Sequence, residues 1–168
     1  LKLKQDEIIK LIFILQDNHI KELSDLEQND SDFIQRNRDR ILNSLMGTRQ
    51  FLIASGLYNF FTNYDTSVIP LYFITYHLFH KKDVPTDEIC NYFNDVENNL
   101  DYKRIYRWIY LSLLNGVFRS KGAGWIPYKT GIRKVLEVMK NNKNKEFPTD
   151  EIFNVYETHP LNFKRQID

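Results

Sequence analysis

Basic side chains concentrated in one part of the sequence are the residues with the clearest chemical potential. Between Lys103 and Lys145 there are eleven Lys or Arg residues and one acidic residue, Glu137, which gives this segment a net charge of +10. Residues 1–102 hold ten basic and sixteen acidic groups, so the formal charge of the whole chain is only +1. Cationic clusters of this kind neutralise the phosphates of nucleic acids, with an affinity that falls steeply as the salt concentration rises.

Helical spacing places several of these cations on common faces. At about 100° per residue, Lys129, Arg133 and Lys140 fall within roughly a 40° arc, and Lys103 and Arg107 are one turn apart on the preceding predicted helix. The residues predicted to contact nucleic acid are Lys103, Arg107, Arg119, Lys121, Trp125, Lys129, Arg133 and Lys140. Two other interpretations stay open, namely a solvated face and a basic seam that docks on an acidic neighbour.

The segment from Ser120 to Gly124 is basic and contains two glycines, as do loops that cradle a phosphate. It lacks the spacing of a P-loop and follows no predicted strand, so a flexible connector is the preferred interpretation. Trp125 follows directly and is the one aromatic residue for which we predict a contact with a base. Trp108 has apolar residues at helical spacing and is predicted to lie in the core.

The histidines and the single cysteine do not suggest an active site. His77 and His80 are three residues apart, but a metal site would need two more ligands, and no nearby Cys or carboxylate has suitable spacing. We therefore predict no metal, no cofactor and no catalytic residue, and two core or boundary histidines with satisfied hydrogen bonds. Cys90 has no activating basic neighbour, which favours a buried thiol over a nucleophile. A lone cysteine excludes an intramolecular disulfide and favours a cytoplasmic location.

The elements that position these residues are predicted to be helices throughout. Hydrophobic residues make up 42% of the chain, whereas six Gly and five Pro are few for a strand-and-turn architecture. No window alternates with a period of two residues. The sequence therefore predicts an all-α fold, a compact multi-helix bundle of about six to eight helices with two mostly buried central helices.

The two central helices are predicted from their apolar residues. The first starts near Thr66 or Ser67 and is apolar almost all round from Val68 to Phe79. Because this stretch is shorter than the ~20 residues of a membrane span, we predict a buried helix and no membrane partner. The second runs from about residue 101 to 118, and its inward residues are Ile105, Trp108, Ile109, Leu113 and Val117.

The outer helices are predicted from breaks and start signals. Asp30 or Ser31 is predicted to cap the second helix, on which Arg36, Arg38 and Arg40 point mostly outward. Gly47 or Gly56 is expected to kink or end that helix. The sequence Pro-Thr-Asp-Glu-Ile occurs at residues 85–89 and 148–152, and each copy is predicted to start a helix with Thr as the cap.

The length of 168 residues suits one domain, and we predict a single helical domain over residues 1–168. Within it, residues 1–30 form a leading helix and residues 160–168 an irregular tail. Because the first residue is Leu1 and not Met, we interpret the chain as an internal piece of a longer protein.

Three stretches together resemble a known family. They are Val68-Ile69-Pro70-Leu71-Tyr72-Phe73, then Arg107-Trp108-Ile109 leading through Leu113-Leu114-Asn115-Gly116-Val117-Phe118-Arg119-Ser120, and finally Phe147-Pro148-Thr149-Asp150-Glu151-Ile152. Their order and spacing resemble the helical C-terminal half of a large bacterial family of unknown function. That family shares its N-terminal domain with the GmrSD modification-dependent restriction enzymes. The resemblance covers about residues 35–155.

This resemblance implies a helical companion domain from a protein that acts on nucleic acid or nucleotides in phage defence. The chemistry of the family is associated with an N-terminal ParB- and sulfiredoxin-like fold that carries an Asp-Gly-Gln-Gln-Arg motif, which this chain lacks. We therefore expect a non-catalytic accessory domain whose basic face contacts DNA and whose other partner is the N-terminal domain of its own parent chain. The alternative is a structural or protein-interaction domain whose basic face docks on another domain.

Overall fold

The computed structural model describes residues 3–18, 27–63, 67–118 and 131–157. These residues form seven α-helices and one 3₁₀ turn, and none of them belongs to a β-strand, which confirms the predicted all-α bundle. The helices are α1 (Gln5–Leu15), α2 (Gln28–Ala54), α3 (Tyr58–Asn63), α4 (Ile69–His80), α5 (Leu100–Leu114), α6 (Gly131–Asn141) and α7 (Thr149–Glu157), and the 3₁₀ turn is Ile89–Asn91.

Helix α4 lies at the centre of the bundle because its surface is apolar almost all round. Every residue from Pro70 to His80 is buried, and the helix packs against α1, α2 and α6. Pro70 occupies the first turn, where the backbone N–H groups have no intrahelical partner, so a proline costs no hydrogen bond there. The predicted buried helix is therefore confirmed. Just before the helix, Oγ of Ser67 accepts a hydrogen bond from the N–H of Ile69 at 3.4 Å.

Helix α5 is divided between a buried and an exposed face. Ile105, Trp108 and Ile109 are fully buried, in agreement with their predicted place in the core. Asn99 caps the helix by accepting a hydrogen bond from the Tyr102 N–H at 2.8 Å. The exposed face carries Lys103, Tyr106, Arg107 and Leu114. This helix therefore links the core directly to a part of the basic surface.

Helix α2 continues through Gly47 and ends just before Gly56. Gly47 marks a close approach between elements, because a methyl group in place of its hydrogen would lie 2.6 Å from the Ile89 carbonyl oxygen and 2.9 Å from Cδ1 of Leu78. No side chain fits into so narrow a space without movement of its neighbours. Gly56 has a φ of 75°, a left-handed conformation that glycine adopts without strain after a helix C-terminus.

Asp30, in the first turn of α2, helps to cap the N-terminus of that helix. Glu27 is the N-cap residue, and its backbone N–H donates to Oδ2 of Asp30 at 2.9 Å, the reciprocal half of a capping box. Oδ1 of Asp30 accepts a hydrogen bond from the Gln16 side chain at 2.9 Å. The prediction that Asp30 or Ser31 is the N-cap is wrong, because α2 begins earlier, at Gln28, and Asp30 lies in its first turn. From that position Asp30 accepts the hydrogen bond of the N-cap residue and ties the end of α1 to the start of α2.

Arg40 turns toward the C-terminus of α4, whereas the sequence pattern had placed it mostly outward. Its guanidinium donates to the carbonyl oxygens of Phe79 at 2.7 Å, Lys81 at 2.5 Å and Val84 at 3.1 Å. Carbonyls at and beyond a helix C-terminus lack an intrahelical partner, and a cation there satisfies them. Arg40 therefore fastens α2 to the end of α4.

The two Pro-Thr-Asp-Glu-Ile segments fold differently. The second copy begins α7, as predicted, although the Thr149 hydroxyl donates to the Arg104 carbonyl at 2.9 Å and makes a contact to α5 instead of a cap. The first copy leads only to the 3₁₀ turn Ile89–Asn91, so the predicted helix start is wrong there. Oγ1 of Thr86 accepts a hydrogen bond from Arg40 at 3.2 Å, and tertiary contacts therefore decide between the two outcomes.

Two predicted terminal features fall partly or wholly outside the described residues. Helix α1, the predicted leading helix, ends at Leu15, and residues 19–26 lie outside the part of the chain that the structure describes. The tail 160–168 lies outside it as well. Among the described helices, none has the length and apolar character that crossing a membrane requires.

Candidate functional site

The structure describes four of the eight residues predicted to contact nucleic acid, and all four are exposed. Lys103 and Arg107 lie on α5, and Arg133 and Lys140 lie on α6. The remaining four, Arg119, Lys121, Trp125 and Lys129, lie outside the described residues together with the glycine-bearing loop. The described part of the predicted interface therefore consists of exposed side chains on two separate helices, α5 and α6.

Two of the basic side chains of α5, Arg104 and Arg107, meet acidic partners from the chain that follows α6. Nη1 of Arg107 lies 3.1 Å from Oδ1 of Asp150, and its guanidinium lies 5.7 Å from the centre of the Phe153 ring. Nη2 of Arg104 lies 2.8 Å from Oε2 of Glu146. Ion pairs as exposed as these contribute little to stability. They do, however, neutralise a part of the surface that the sequence presents as strongly basic.

Helix α6 presents basic side chains without such partners. Val135 and Met139 are buried on one side of the helix, which packs against α4 and α7. The other side exposes Arg133, Lys134, Glu137 and Lys140. Within the described parts of the chain, none of these three cations has a carboxylate oxygen within 4.0 Å. The α6 cations are therefore more available to a partner than Arg104 and Arg107 of α5.

Lys143, just beyond α6, faces the bundle and not the basic surface. Its Nζ donates to Oδ2 of Asp17 and lies 5.7 Å from the centre of the Tyr76 ring. The Tyr76 hydroxyl donates to Oδ1 of the same carboxylate at 2.6 Å. Burial would raise the pKa of Asp17, but the hydrogen bonds from Lys143 and Tyr76 outweigh it and hold that pKa below its usual value. This cation thus joins the chain after α6 to α1 and α4.

A buried polar cluster around Asp101 connects three distant parts of the chain. Oδ2 of Asp101 accepts hydrogen bonds from Nζ of Lys81 at 2.8 Å and from the Tyr92 hydroxyl at 2.6 Å. Oδ1 accepts one from the backbone N–H of Phe147 at 2.6 Å. Nε2 of His77 lies 3.1 Å from Oδ2, without the alignment of a regular hydrogen bond. The end of α4, the first turn of α5 and the segment before α7 therefore meet at one carboxylate.

The charges of this cluster compensate one another. Burial would raise the pKa of Asp101, but the interactions with His77, Lys81 and Tyr92 outweigh it and hold that pKa far below its usual value. Burial, reinforced by the hydrogen bond to Asp101, raises the pKa of Tyr92. Nζ of Lys81 also donates to the Lys145 carbonyl at 3.1 Å. Because the carboxylate and the ammonium both have partners, the arrangement is typical of a network that orients helices.

His77 and His80 are both buried, as predicted, but they belong to different clusters. The predicted satisfied hydrogen bonds are wrong for Nε2 of His77, which makes no regular hydrogen bond. Nε2 of His80 lies 3.1 Å from the Leu15 carbonyl oxygen, so it carries the hydrogen and donates. Burial, assisted by the charge of Lys143, lowers the pKa of His80 to about 4. Among the residues that the structure describes, no group of three or more His, Cys, Asp or Glu side chains is arranged to hold a metal ion.

Several polar residues that organise the bundle escaped the sequence-based prediction. Lys81 and Asp101 are among them, because spacing along the chain does not reveal that two charges pair in the interior. Cys90 is half-buried, and its thiol donates to the Asp87 carbonyl oxygen at 3.3 Å. The prediction of a buried thiol is therefore wrong in degree, because Cys90 lies in the 3₁₀ turn and not in the regular helix that the sequence predicts there.

The fold and the site together define an all-helical domain with a hydrogen-bonded polar interior and a basic exposed side on α6. No family model, no curated protein and no solved structure matches this chain.

Proposed function

We propose that this chain is a non-catalytic helical accessory domain that contacts the phosphate backbone of DNA through the exposed side of α6. The observation that carries the proposal is the set of three cations, Arg133, Lys134 and Lys140, which have no carboxylate partner among the described residues. Lys103 on α5 is a further exposed cation. Cations held on a packed helix can neutralise phosphates, and this favours association with a polyanion.

The chemistry of this surface favours contacts to the backbone over reading of bases. Lys and Arg side chains that neutralise phosphates position a protein on DNA without selecting a sequence. The surface offered by α6 is short, because the helix has eleven residues and is therefore about 16 Å long. We expect an affinity that depends steeply on salt and weakly on DNA sequence.

The interior polar groups support a non-catalytic role for this domain. Asp101, His80 and Tyr76 have strongly shifted pKa values, and such groups are the usual candidates for catalysis. Here each of them is engaged with another helix or helix end, through Lys81, Leu15 and Asp17 respectively. Their perturbed pKa values are therefore explained by the packing of the bundle.

The parent protein that we propose is a bacterial defence protein of the restriction type. This rests only on the resemblance of residues 35–155 to the helical half of the family that shares its N-terminal domain with GmrSD enzymes. In that setting the catalytic region lies elsewhere in the parent, and this domain packs on the N-terminal domain. The complete sequence of the parent tests the idea: an upstream Asp-Gly-Gln-Gln-Arg motif supports it, and absence of that motif rejects it.

A second candidate is a protein-interaction domain whose basic surface docks on an acidic neighbour. The observation that favours it is the pairing of Arg104 with Glu146 and of Arg107 with Asp150. These pairs show that arginines beside this surface already bind carboxylates of the same chain. In this case the cations of α6 meet acidic side chains of another domain.

Binding of the 168-residue chain to fluorescein-labelled duplex DNA, measured by anisotropy at low and near-physiological salt, separates the two candidates. We expect Arg133→Glu/Lys140→Glu to weaken binding at least tenfold and to reduce the slope of log K against log salt by about 2, since two phosphate contacts are lost. Arg36→Glu/Arg38→Glu, which makes the same charge change on exposed residues of α2, is the matched control. Equal affinities of the two double variants reject the DNA role and leave the second candidate.

A further inference from the structure

Helix α2 carries a second row of side chains opposite its buried face. Ile41, Ser44, Thr48, Phe51 and Leu52 are buried against the bundle. On the other side, six exposed residues follow one another at alternating distances of four and three positions. They are Gln35, Asp39, Leu42, Met46, Arg49 and Ile53, here called the α2 seam. At about 100° per residue the α2 seam falls within roughly an 80° arc that lies opposite the buried face.

The spacing and the apolar content of the α2 seam are those of a helix that pairs with another helix. Alternating steps of three and four residues define the core positions of a coiled coil. Leu42, Met46 and Ile53 are 47%, 57% and 50% exposed, although the same helix already buries Ile41, Phe51 and Leu52 on its other side. Scattered exposed apolar residues are ordinary, whereas three on a single row indicate a contact surface. The row spans about 27 Å along the helix axis.

Two side chains of opposite charge, Asp39 and Arg49, also lie on the α2 seam. Asp39 and Arg49 are both exposed. Neither has an oppositely charged group within 4.0 Å among the described residues, and the guanidinium of Arg49 lies 5.2 Å from the centre of the Tyr58 ring. At core positions of paired helices, charges of this kind select the partner and fix the register.

The positions of these residues are symmetric about Ser44. Leu42 and Met46 lie two residues on either side of it, and Asp39 and Arg49 lie five residues on either side. When two copies of α2 pack antiparallel about a twofold axis at this level, each Asp39 faces an Arg49 of the other copy and each Leu42 faces a Met46. Parallel packing would instead place each charge against its like, which is unfavourable.

We propose that this chain forms a symmetric antiparallel dimer through the α2 seam, with two intermolecular Asp39–Arg49 ion pairs flanking a Leu42–Met46 core. This surface is on α2 and does not depend on the proposed contact between α6 and DNA. Because six side chains per copy make a small interface, we expect a dimer that dissociates in the micromolar range or above.

Sedimentation equilibrium of the 168-residue chain from about 10 μM to 1 mM tests the proposal. We expect Asp39→Arg and Arg49→Asp each to weaken self-association at least tenfold, because each places like charges opposite one another. The double variant Asp39→Arg/Arg49→Asp restores opposite charges and is expected to return to within about threefold of the original affinity. Circular dichroism checks that the exposed substitutions leave the helices intact.

The matched control is Glu151→Arg, which makes the same charge change as Asp39→Arg at an exposed position on α7. We expect it to leave self-association unchanged. Three results overturn the proposal: a monomer throughout the concentration range, a double variant as weak as the single ones, or a Glu151→Arg variant as weak as Asp39→Arg. Recovery in the double variant together with an unaffected control supports the antiparallel dimer.

Discussion

Nζ of Lys81 and Oδ2 of Asp101 lie 2.8 Å apart, and the two side chains are 9% and 2% exposed. The carboxylate also accepts hydrogen bonds from Tyr92 and from the backbone of Phe147. Transfer of two charges from water into the interior is costly, and removal of one partner leaves the other buried without compensation. The pair is therefore expected to respond to mutation as a unit.

Replacement Asp101→Asn is expected to lower the free energy of unfolding by about 3–5 kcal/mol, because the ammonium of Lys81 stays buried without its counter-ion. Lys81→Met is expected to cost a similar amount, and the double variant less than the sum of the two. Urea denaturation followed by circular dichroism measures all three. As a control, Glu146→Gln breaks an exposed pair with Arg104 and should cost under about 1 kcal/mol. A loss for Asp101→Asn no larger than this control would contradict the stabilising role of the cluster.

His80 makes stability depend on pH in a definite direction. Burial lowers its pKa to about 4 in the folded chain, below the ordinary value of 6.5. As the pH falls, the unfolded chain takes up the proton first, so the stabilisation is complete above pH 6.5 and is lost between about pH 6.5 and 4. We expect a loss on the order of 2 kcal/mol between pH 7 and pH 4.5. In His80→Gln, whose amide can still donate to the Leu15 carbonyl, this part of the pH dependence should be missing.

Urea titrations of both proteins across this pH range give the comparison. The contribution of Asp101 is present above its ordinary pKa of 3.8 and is lost only as the pH falls below that value. It therefore does not interfere with the window of His80. Parallel stability curves for the original chain and His80→Gln would show that His80 is not the titrating group.

Gly47→Ala separates the influence of helix propensity from that of packing. In an exposed helix, Ala is favoured over Gly by about 1 kcal/mol. Here the added methyl group would meet the Ile89 carbonyl oxygen at 2.6 Å, and we expect a net loss of about 1–3 kcal/mol in the free energy of unfolding. Gln35→Ala, at an exposed position of α2, should change it by under about 0.5 kcal/mol. A gain in stability for Gly47→Ala would mean that α2 and the 3₁₀ turn do not pack this closely.

The all-helical fold and its centre could be predicted because they follow from local composition. The run from Pro70 to Phe79 is apolar almost all round, which favours a buried position, and Pro70 suits the first turn of a helix. The identical five-residue segments at 85–89 and 148–152 show where local information ends. They begin a 3₁₀ turn and an α-helix respectively, and contacts with Arg40 and Arg104 distinguish them.

The candidate site could be predicted only in part, for a related reason. Counting charges identifies a basic segment, but the acidic partners Glu146 and Asp150 of the α5 cations lie outside that segment. Pairing between distant side chains leaves no mark in helical periodicity. Arg40 is another example of such a distant contact. Its place in the helical pattern of α2 predicts an exposed side chain, but its guanidinium donates to the carbonyl oxygens of Phe79 and Lys81, 39 and 41 residues later.

The polar partners of α4 have a consequence for how the chain is made. Asp17 and Lys143 are 126 residues apart in sequence, and Asp101 and Phe147 are 46 apart. During translation, the apolar surface of α4 therefore leaves the ribosome long before Lys143 and Phe147. These two residues complete the polar clusters around Asp17 and Asp101. Contacts of such long range slow folding and leave apolar surface open to other molecules in the meantime. We expect nascent chains that stop before residue 143 to be bound by chaperones and cleaved by proteases, and the 168-residue chain to escape both.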